Sequence, residues 1–145
     1  NELVVEITKT IKKAEKKDLV PVFRLNGTSD LAWEKYEVAD GKNIFQMFPD
    51  VQFYDYTKVN NRKVKHIPNY HLTFSKADGN DMDVRIALSN GMNVAAVFHS
   101  VPENYLGREV INGDETDLRF LDPRGVIVGL KAKGKAKKDT TGFVI

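Results

Sequence analysis

Polar and charged side chains concentrate in this sequence where its apolar runs end. The run "LVPVF" is followed by "RLNGTSD", and "DVQF" is followed by "YDYTK". Cations, amides, hydroxyls and tyrosines in such a mixture suit an anionic polar ligand, such as a phosphate or a nucleotide. We predict that the residues that bind this ligand are Arg24, Asn26, Ser29, Asp30, Tyr54, Asp55, Tyr56, Lys58, Lys131 and Lys133.

Each kind of side chain in this set has its own expected task. Because side chains alternate along a strand, Tyr54 and Tyr56 should face one side of the sheet and Asp55 the other. Only one of these two groups can therefore line a given cavity, unless the strand twists out before Tyr56. We expect the cations Arg24 and Lys131 to hold the ligand. Asn26 and Ser29 should orient it. Tyr54 or Tyr56, together with Asp55, should line its far side.

A purely structural interpretation of "RLNGTSD" stays open. Arg24 and Asp30 could pair and fix the turn, while Gly27 permits a bend with positive φ. Ser29 or Asp30 could cap a following helix, because short polar side chains are favoured at helix N-termini. Capping does not explain Arg24 and Asn26, which are therefore the first candidates for a ligand site.

Basic segments of the sequence indicate an alternative function. Five lysines lie between residues 131 and 138, and "NRKVKH", residues 61–66, is a second basic segment. Lysine clusters can follow a phosphate backbone without reading bases. The alternative is a nucleic-acid-binding accessory protein, although a net charge of +2 gives it little support. A third hypothesis is a module that docks on another protein without a small ligand.

Nothing in the sequence predicts a metal or a cofactor within this chain. The sequence has no cysteine, which excludes disulfides, thiolate nucleophiles and cysteine-ligated zinc or iron–sulfur centres. The spacing of His66, His71 and His99 is not that of a metal site. The acidic residues between positions 114 and 122 lack the calcium-loop pattern of an EF-hand, and we predict a solvated hairpin there.

The elements that position these residues alternate between strands and helices. Apolar runs predict strands in "LVPVFRLN", "DVQFYDYTKV", "NYHLTFS", "NVAAVFHS" and "GVIVGL", the first of them buried on both faces. Helical spacing or capping predicts helices at the start of the sequence, after Ser29 or Asp30, in "NIFQMF", and in "NDMDVRIALSNG" with Asn80 as cap. Asn112 and Gly113 predict the turn of a hairpin.

This alternation predicts an α/β fold with a mostly parallel sheet and outer helices, arranged as a partial barrel or as an open sheet. Its length predicts a single domain, 1–145, which could be the C-terminal part of a longer protein. Ligands bind at the carboxyl ends of parallel strands, so Ser75, Lys76, His99 and Ser100 should lie at the same edge as the predicted site. No apolar run reaches the roughly 18 residues of a membrane span. We expect a cytoplasmic protein with no membrane partner, and the sequence leaves its oligomeric state open.

Five separated blocks of the sequence resemble one protein family. The blocks are "PVFRLNGTSDLAWE", "FPDVQFYDYTKV", "PNYHLTFS", "GMNVAAVFHS" and "VINGDETDLRFLDPRGVIVGLKAKGKAKKDTTGFVI". In this order they are similar to the gene-product-88-like family of bacteriophages and mobile elements. The resemblance runs from about Lys13 to the C-terminus and corresponds to the C-terminal portion of a family member.

The resemblance implies no particular reaction or substrate. It implies that full-length members have an upstream segment with a compact cluster of cysteines, which looks like a metal or iron–sulfur site. This chain has no such cluster, so chemistry that depended on it would leave this chain inactive on its own. The resemblance also implies a location in the cytoplasm of the infected host cell. We therefore expect a ligand-binding domain, or a degenerate or partial enzyme.

Overall fold

The structure, a computed structural model, describes residues 2–145. Its α-helices are α1 (Glu2–Lys16), α2 (Ile44–Met47) and α3 (Asp81–Ser89). Its strands are β1 (Val22–Phe23), β2 (Gln52–Thr57), β3 (Tyr70–Ser75), β4 (Asn93–Phe98), β5 (Asn104–Tyr105), β6 (Arg108–Asn112) and β7 (Ile127–Lys131). Short 3-10 helices cover Trp33–Lys35, Arg119–Leu121 and Gly134–Lys138.

The described strands form one sheet in the order β1-β2-β3-β4-β7-β6-β5. Strand β1 pairs with β2, β3 with β4, and β7 with both β4 and β6, in each case parallel. The short strand β5 pairs antiparallel with β6. The predicted α/β fold with a mostly parallel sheet is therefore confirmed. The choice between a partial barrel and an open sheet stays a prediction, as does the placing of the helices outside the sheet.

The chain folds into two compact units. Unit 1 comprises the residues up to Asp55 together with Lys63–His71, and unit 2 comprises Tyr56–Arg62 together with Leu72–Ile145. Strands β2 and β3 each contribute residues to both units. The prediction of a single domain over 1–145 stays a prediction. No helix in the described part of the chain is both long enough and apolar enough to cross a membrane.

Unit 1 contains the predicted amphipathic helix α1, which buries Ile7 and Ala14 and keeps its lysines exposed. Helix α2 begins at a capping box, in which the Asn43 side chain accepts from the backbone N–H of Gln46 at 2.9 Å and the Gln46 side chain accepts in return at 2.9 Å. The apolar centre of this unit is aromatic: the ring of Phe45 stacks on Tyr70 at 4.1 Å and meets Phe53 edge-on at 5.2 Å.

Unit 2 has an aliphatic core around α3 and the central strands. Helix α3 and strand β4 follow the prediction, with Asn80 at the cap position and Gly91 past the end of the helix at φ 80°. The faces of α3 and β4 that meet are apolar. Burying their side chains is the main favourable term in packing a helix on a sheet. The buried cluster comprises Phe74, Val84, Ala87, Leu88, Val94, Ala96, Phe98 and Ile127.

The first predicted strand and helix are wrong in detail. Strand β1 has two residues, Val22 and Phe23, and both are half-buried rather than buried on two faces. No α-helix begins directly after Ser29 or Asp30. A single 3-10 turn begins instead after Ala32, which makes no side-chain cap bond. The polar residues of this loop bind one another, as described below, and are therefore not used as helix caps.

The predicted hairpin at Asn112 and Gly113 is also wrong. The N–H of Gly113 donates to the carbonyl of Gly129 at 2.8 Å, which continues the parallel pairing of β6 with β7. The hairpin lies earlier, between β5 and β6, where Leu106 (φ 51°) and Gly107 (φ 74°) form a two-residue turn with positive φ at both positions. Such a turn matches the twist of the flanking strands, and Leu-Gly is a weaker signal for it than Asn-Gly.

Candidate anion-binding site

In unit 1, the carboxylate of Asp55 is the centre of a buried polar network. Asp55 is fully buried, and it accepts from the backbone N–H of Asn26 at 2.7 Å and from the Tyr70 hydroxyl at 2.7 Å. Buried carboxylates are tolerated only where such bonds replace lost hydration. Asp55 therefore anchors the loop that leaves β1 to strand β2.

The side chain of Asn26 then organises the loop itself. Its amide nitrogen donates to the carbonyl of Leu31 at 2.9 Å, and its oxygen accepts from the Ser29 hydroxyl at 3.1 Å and the Trp33 indole N–H at 2.9 Å. Asn26 is 2% exposed, and both acceptor positions of its oxygen are filled. The polar composition of "RLNGTSD" thus has a structural reason that capping alone does not supply.

The other predicted ligand residues differ in their exposure to solvent. In unit 1, Arg24 and Asp30 are exposed and Tyr54 is half-buried; in unit 2, Tyr56 is half-buried and Lys58, Lys131 and Lys133 are exposed. Strand β2 buries Phe53, Asp55 and Thr57 in alternation with the half-buried tyrosines, as predicted. Ligand binding by the predicted set stays a prediction.

Asp114 contacts two of the predicted lysines, one through the lysine's backbone and the other through its side chain. Its carboxylate accepts from the backbone N–H of Lys131 at 2.9 Å and from the ammonium of Lys133 at 3.1 Å. The Lys131 backbone bond, followed by the hydrogen bond and charge of Lys133, holds the pKa of Asp114 below its usual range. Asp114 is therefore an ionised partner of this lysine segment. Among residues 2–145, no group of three or more histidines, cysteines or acids is arranged to hold a metal ion.

Arg119 in unit 2 is a buried cation with a structural task. Its guanidinium donates to the carbonyls of Gly113 and Thr116, and its Nε lies 3.3 Å from a carboxylate oxygen of Asp122. Burial raises the pKa of Asp122, and the charge of Arg119 opposes that shift. The residue ties together the segment that connects β6 to β7.

A cavity of about 280 Å³ lies in unit 2. It adjoins the carboxyl end of β3, since Lys76 directly follows that strand and its N–H donates to the carbonyl of Ala95 in β4. Ligand sites of parallel sheets form at this end of the strands. The cavity is lined by Lys76, Asp81, Arg85, Tyr105, Leu106, Gly142 and Ile145.

Lys76 is the most unusual residue of this cavity, because its side chain is only 3% exposed. Its ammonium donates to the carbonyl of Gly142 at 3.2 Å and lies 3.5 Å from a carboxylate oxygen of Asp81, whose side chain is 76% exposed. Asn80 fixes the loop between them, since its side chain accepts from the N–H of Ala77 and donates to the carbonyl of Ser75. A preorganised, largely desolvated cation therefore borders the cavity.

Tyr105 brings a hydroxyl and an aromatic ring to the same cavity. The hairpin of β5 and β6 places its ring edge-on against Phe98 at 5.4 Å, at the end of β4. Burial raises the pKa of the Tyr105 hydroxyl, the charge of Asp81 raises it further, and Arg85 opposes both. The hydroxyl therefore stays protonated at neutral pH and can donate a hydrogen bond to an anion.

The segment after Asp139 forms another wall. The N–H of Ile145 donates to the carbonyl of Val97 at 3.0 Å, and its carbonyl accepts from the N–H of His99 at 2.9 Å. These bonds hold Ile145 beside β4, and the bond from Lys76 holds Gly142. The cavity thus combines an apolar wall with two cations, one carboxylate and a hydroxyl donor.

Sequence reasoning placed Lys76 at a strand end but did not select it, and it missed Arg85 and Tyr105. Arg85 lies within α3, where an exposed charge is ordinary. Tyr105 reaches the cavity only because of a turn at Leu106 and Gly107 that the sequence did not reveal. The sequence signal that could have pointed to the cavity was Lys76 itself, a lysine directly after a buried strand.

The fold and the cavity define an α/β protein with a mostly parallel sheet and a cationic cavity at the carboxyl end of a strand. The chain belongs to the Gene product 88 family, whose family model matches residues 1–145. The family model therefore also matches the residues before about Lys13, where the resemblance seen in the sequence began. No curated protein and no solved structure matches the chain.

Proposed function

We propose that this chain binds a small anionic ligand, a phosphate or a nucleotide-like molecule, in the cavity of unit 2. The observation that carries the proposal is the almost fully buried ammonium of Lys76 at the wall of a 280 Å³ cavity that Arg85 also lines. Burying an ammonium is costly unless partners compensate it. The carbonyl of Gly142 and the exposed carboxylate of Asp81 provide part of that compensation, and an anion in the cavity would add to it.

The charges around the cavity favour an anion over a cation. Two cations, Lys76 and Arg85, line the cavity against one carboxylate, that of Asp81, and of these three groups only the Lys76 side chain is shielded from water. The Tyr105 hydroxyl adds a donor that carries no charge. A phosphate or carboxylate group between these side chains would accept charge-assisted hydrogen bonds, which are the strong ones.

We propose ligand binding and no particular reaction. A degenerate or partial enzyme would use the same cavity to hold its substrate, and in that case the activity would depend on the upstream cysteine segment that the phage resemblance implies. We place the binding activity in the cytoplasm of the infected host cell. The predicted site at Arg24 is the competing location for the same ligand class.

Thermal stabilisation by inorganic phosphate, phenyl phosphate and adenosine monophosphate tests the proposal. A ligand that binds only the folded chain stabilises it by about 2.7 kcal/mol at a concentration of 100 Kd. Arg85→Gln should weaken binding about 10-fold or more, since a hydrogen bond to a charged group contributes about 1.5–3 kcal/mol. Lys76→Met should weaken it further.

The controls separate binding from folding and one site from the other. Arg85 is exposed, so Arg85→Gln should leave the unliganded melting temperature unchanged, whereas the buried Lys76 could affect folding. Lys12→Met, on the exposed face of α1, is the matched control for loss of one positive charge. If Arg24→Ala abolishes the stabilisation and Arg85→Gln does not, the ligand binds at the end of β1. If none of the three ligands stabilises the parent protein, the proposal fails.

A further inference from the structure

A run of exposed lysines in unit 2 leads along the chain to the wall of the cavity. Lys133, whose side chain is 74% exposed, precedes the 3-10 helix Gly134–Lys138. In a 3-10 helix, side chains three residues apart lie on the same face, so Lys135 and Lys138 project together. The exposed lysines are Lys131, Lys133, Lys135, Lys137 and Lys138.

The lysine run is held close to the cavity by a short turn. Asp139 follows it directly, and its carboxylate accepts from the Thr141 hydroxyl at 2.7 Å and from the N–H of Val144 at 3.1 Å. Gly142, which lines the cavity, is four residues after Lys138. Four residues of even fully extended chain span at most about 14 Å. The lysine run therefore ends within about 14 Å of the cavity wall, measured between the Cα atoms of Lys138 and Gly142.

We infer that the ligand of the cavity is the terminal phosphate of a single-stranded nucleic acid, whose following phosphates contact the lysine run. This inference rests on the proposed function. A phosphate monoester at the end of a strand fits the cationic cavity, and the regularly repeated charges behind it fit a series of lysines that read no bases. The Tyr105 ring offers the terminal base a surface for stacking.

A single strand suits these features better than other polyanions. A single strand leaves its terminal base unpaired and able to stack on an aromatic side chain such as Tyr105, whereas the bases at a duplex end are paired with each other. A side-chain carboxylate of an acidic peptide would also bind Lys76 and Arg85, but it carries one charge and two oxygens, whereas a terminal phosphate carries nearly two charges and three strong acceptor oxygens and therefore matches two cations better. The exposed lysines and the cavity are thus assigned to one ligand and not to two.

The experiment compares oligothymidylates of about 12 nucleotides, a length within the site sizes of single-strand-binding domains, by fluorescence anisotropy. One carries a 5′-phosphate, one a 3′-phosphate and one hydroxyls at both ends. We expect one of the two terminal phosphates to raise affinity about 10-fold or more, as removal of a charge-assisted hydrogen bond costs at least that. Arg85→Gln should remove this advantage and leave binding of the dihydroxyl strand unchanged.

The variant Lys135→Gln/Lys137→Gln/Lys138→Gln tests the other half of the inference. This variant should bind all three oligonucleotides more weakly than the parent, by the same factor. The slope of log K against log salt concentration should become shallower by about 0.7 for each phosphate that a lysine no longer neutralises. Phenyl phosphate should still stabilise this variant, because its cavity is intact.

Each other outcome overturns the inference in a distinct way. If phenyl phosphate binds but neither terminal phosphate raises oligonucleotide affinity, the proposed function stands and the nucleic-acid assignment fails. If the triple lysine variant binds all oligonucleotides as the parent does, the lysine run does not touch the strand. If polyglutamate competes as well as the phosphorylated strand, the partner is an acidic protein. If no phosphate compound binds, the inference and the proposed function fail together.

Discussion

Replacement of Asn26 by alanine should destabilise unit 1 by about 2–3 kcal/mol. The change removes hydrogen bonds to the Leu31 carbonyl, the Trp33 indole and the Ser29 hydroxyl, while the backbone bond from residue 26 to Asp55 remains. A net contribution of about 1 kcal/mol for each of the first two bonds, plus the cost of leaving groups partly removed from water without partners, gives this magnitude. The bond to Ser29 adds little because that residue is exposed.

Equilibrium urea unfolding, followed by fluorescence, measures this effect. Trp33 is the only tryptophan in the sequence and belongs to the network, so its fluorescence monitors unit 1 directly. The matched control is Ser29→Ala, which should change the free energy of unfolding by no more than about 0.5 kcal/mol. The indole N–H signal of Trp33 should also exchange with solvent faster in Asn26→Ala than in the parent. If Asn26→Ala costs less than about 1 kcal/mol, or no more than Ser29→Ala, the network does not stabilise the loop.

Three further substitutions test other parts of the structure. Gly113→Ala should cost about 1–3 kcal/mol in urea unfolding, since its Cβ would lie 2.7 Å from Nη1 of Arg119 and 2.8 Å from Leu130 Cδ2; an unchanged midpoint would contradict this close packing. Asn43→Ala should lower the free energy of unfolding by about 1 kcal/mol, because it breaks the capping box of α2; an unchanged urea midpoint would speak against this role of the cap. The folded-state pKa of Asp114 is lowered, so its stabilising effect is present above its usual pKa and is lost as pH falls through the lower folded value. Asp114→Asn should therefore lower the urea midpoint at pH 7, and its midpoint should converge with that of the parent once the pH falls below the folded-state pKa; a difference that persists in acid would refute the assignment.

The central elements could be predicted because their local signals and their packing agree. The apolar run "NVAAVFHS" became the central strand β4, and "NDMDVRIALSNG" became α3 with its cap and its terminal glycine in the predicted places. Strong burial leaves few alternatives for such segments. The peripheral segments were harder. Asn26 and Ser29 carry the same side chains as a helix cap, and only the tertiary contact with Trp33 decides that they close a loop instead.

The sequence predicted an anion site at strand ends, and the cavity that we propose as the site adjoins a strand end that was not selected. Polar residues at strand ends indicated an anion site, and Lys76 was among them. Its low exposure depends on the carbonyl of Gly142, which is 66 residues away in the sequence. Tyr105 depends on a hairpin whose turn has no typical sequence signal. Long-range pairing of this kind leaves no trace in local composition.

The shortness of the outermost strands affects how this protein behaves at high concentration. In the described sheet, β1 and β5 occupy the two ends of the strand order, and each has two residues. Exposed sheet edges recruit other chains through rows of unpaired N–H and C=O groups, and average strands offer about five or six residues for such a row. An approaching copy would gain only a few hydrogen bonds from either of these strands. These two strands are therefore poor templates for aggregation, because each is too brief to hold a second chain in register.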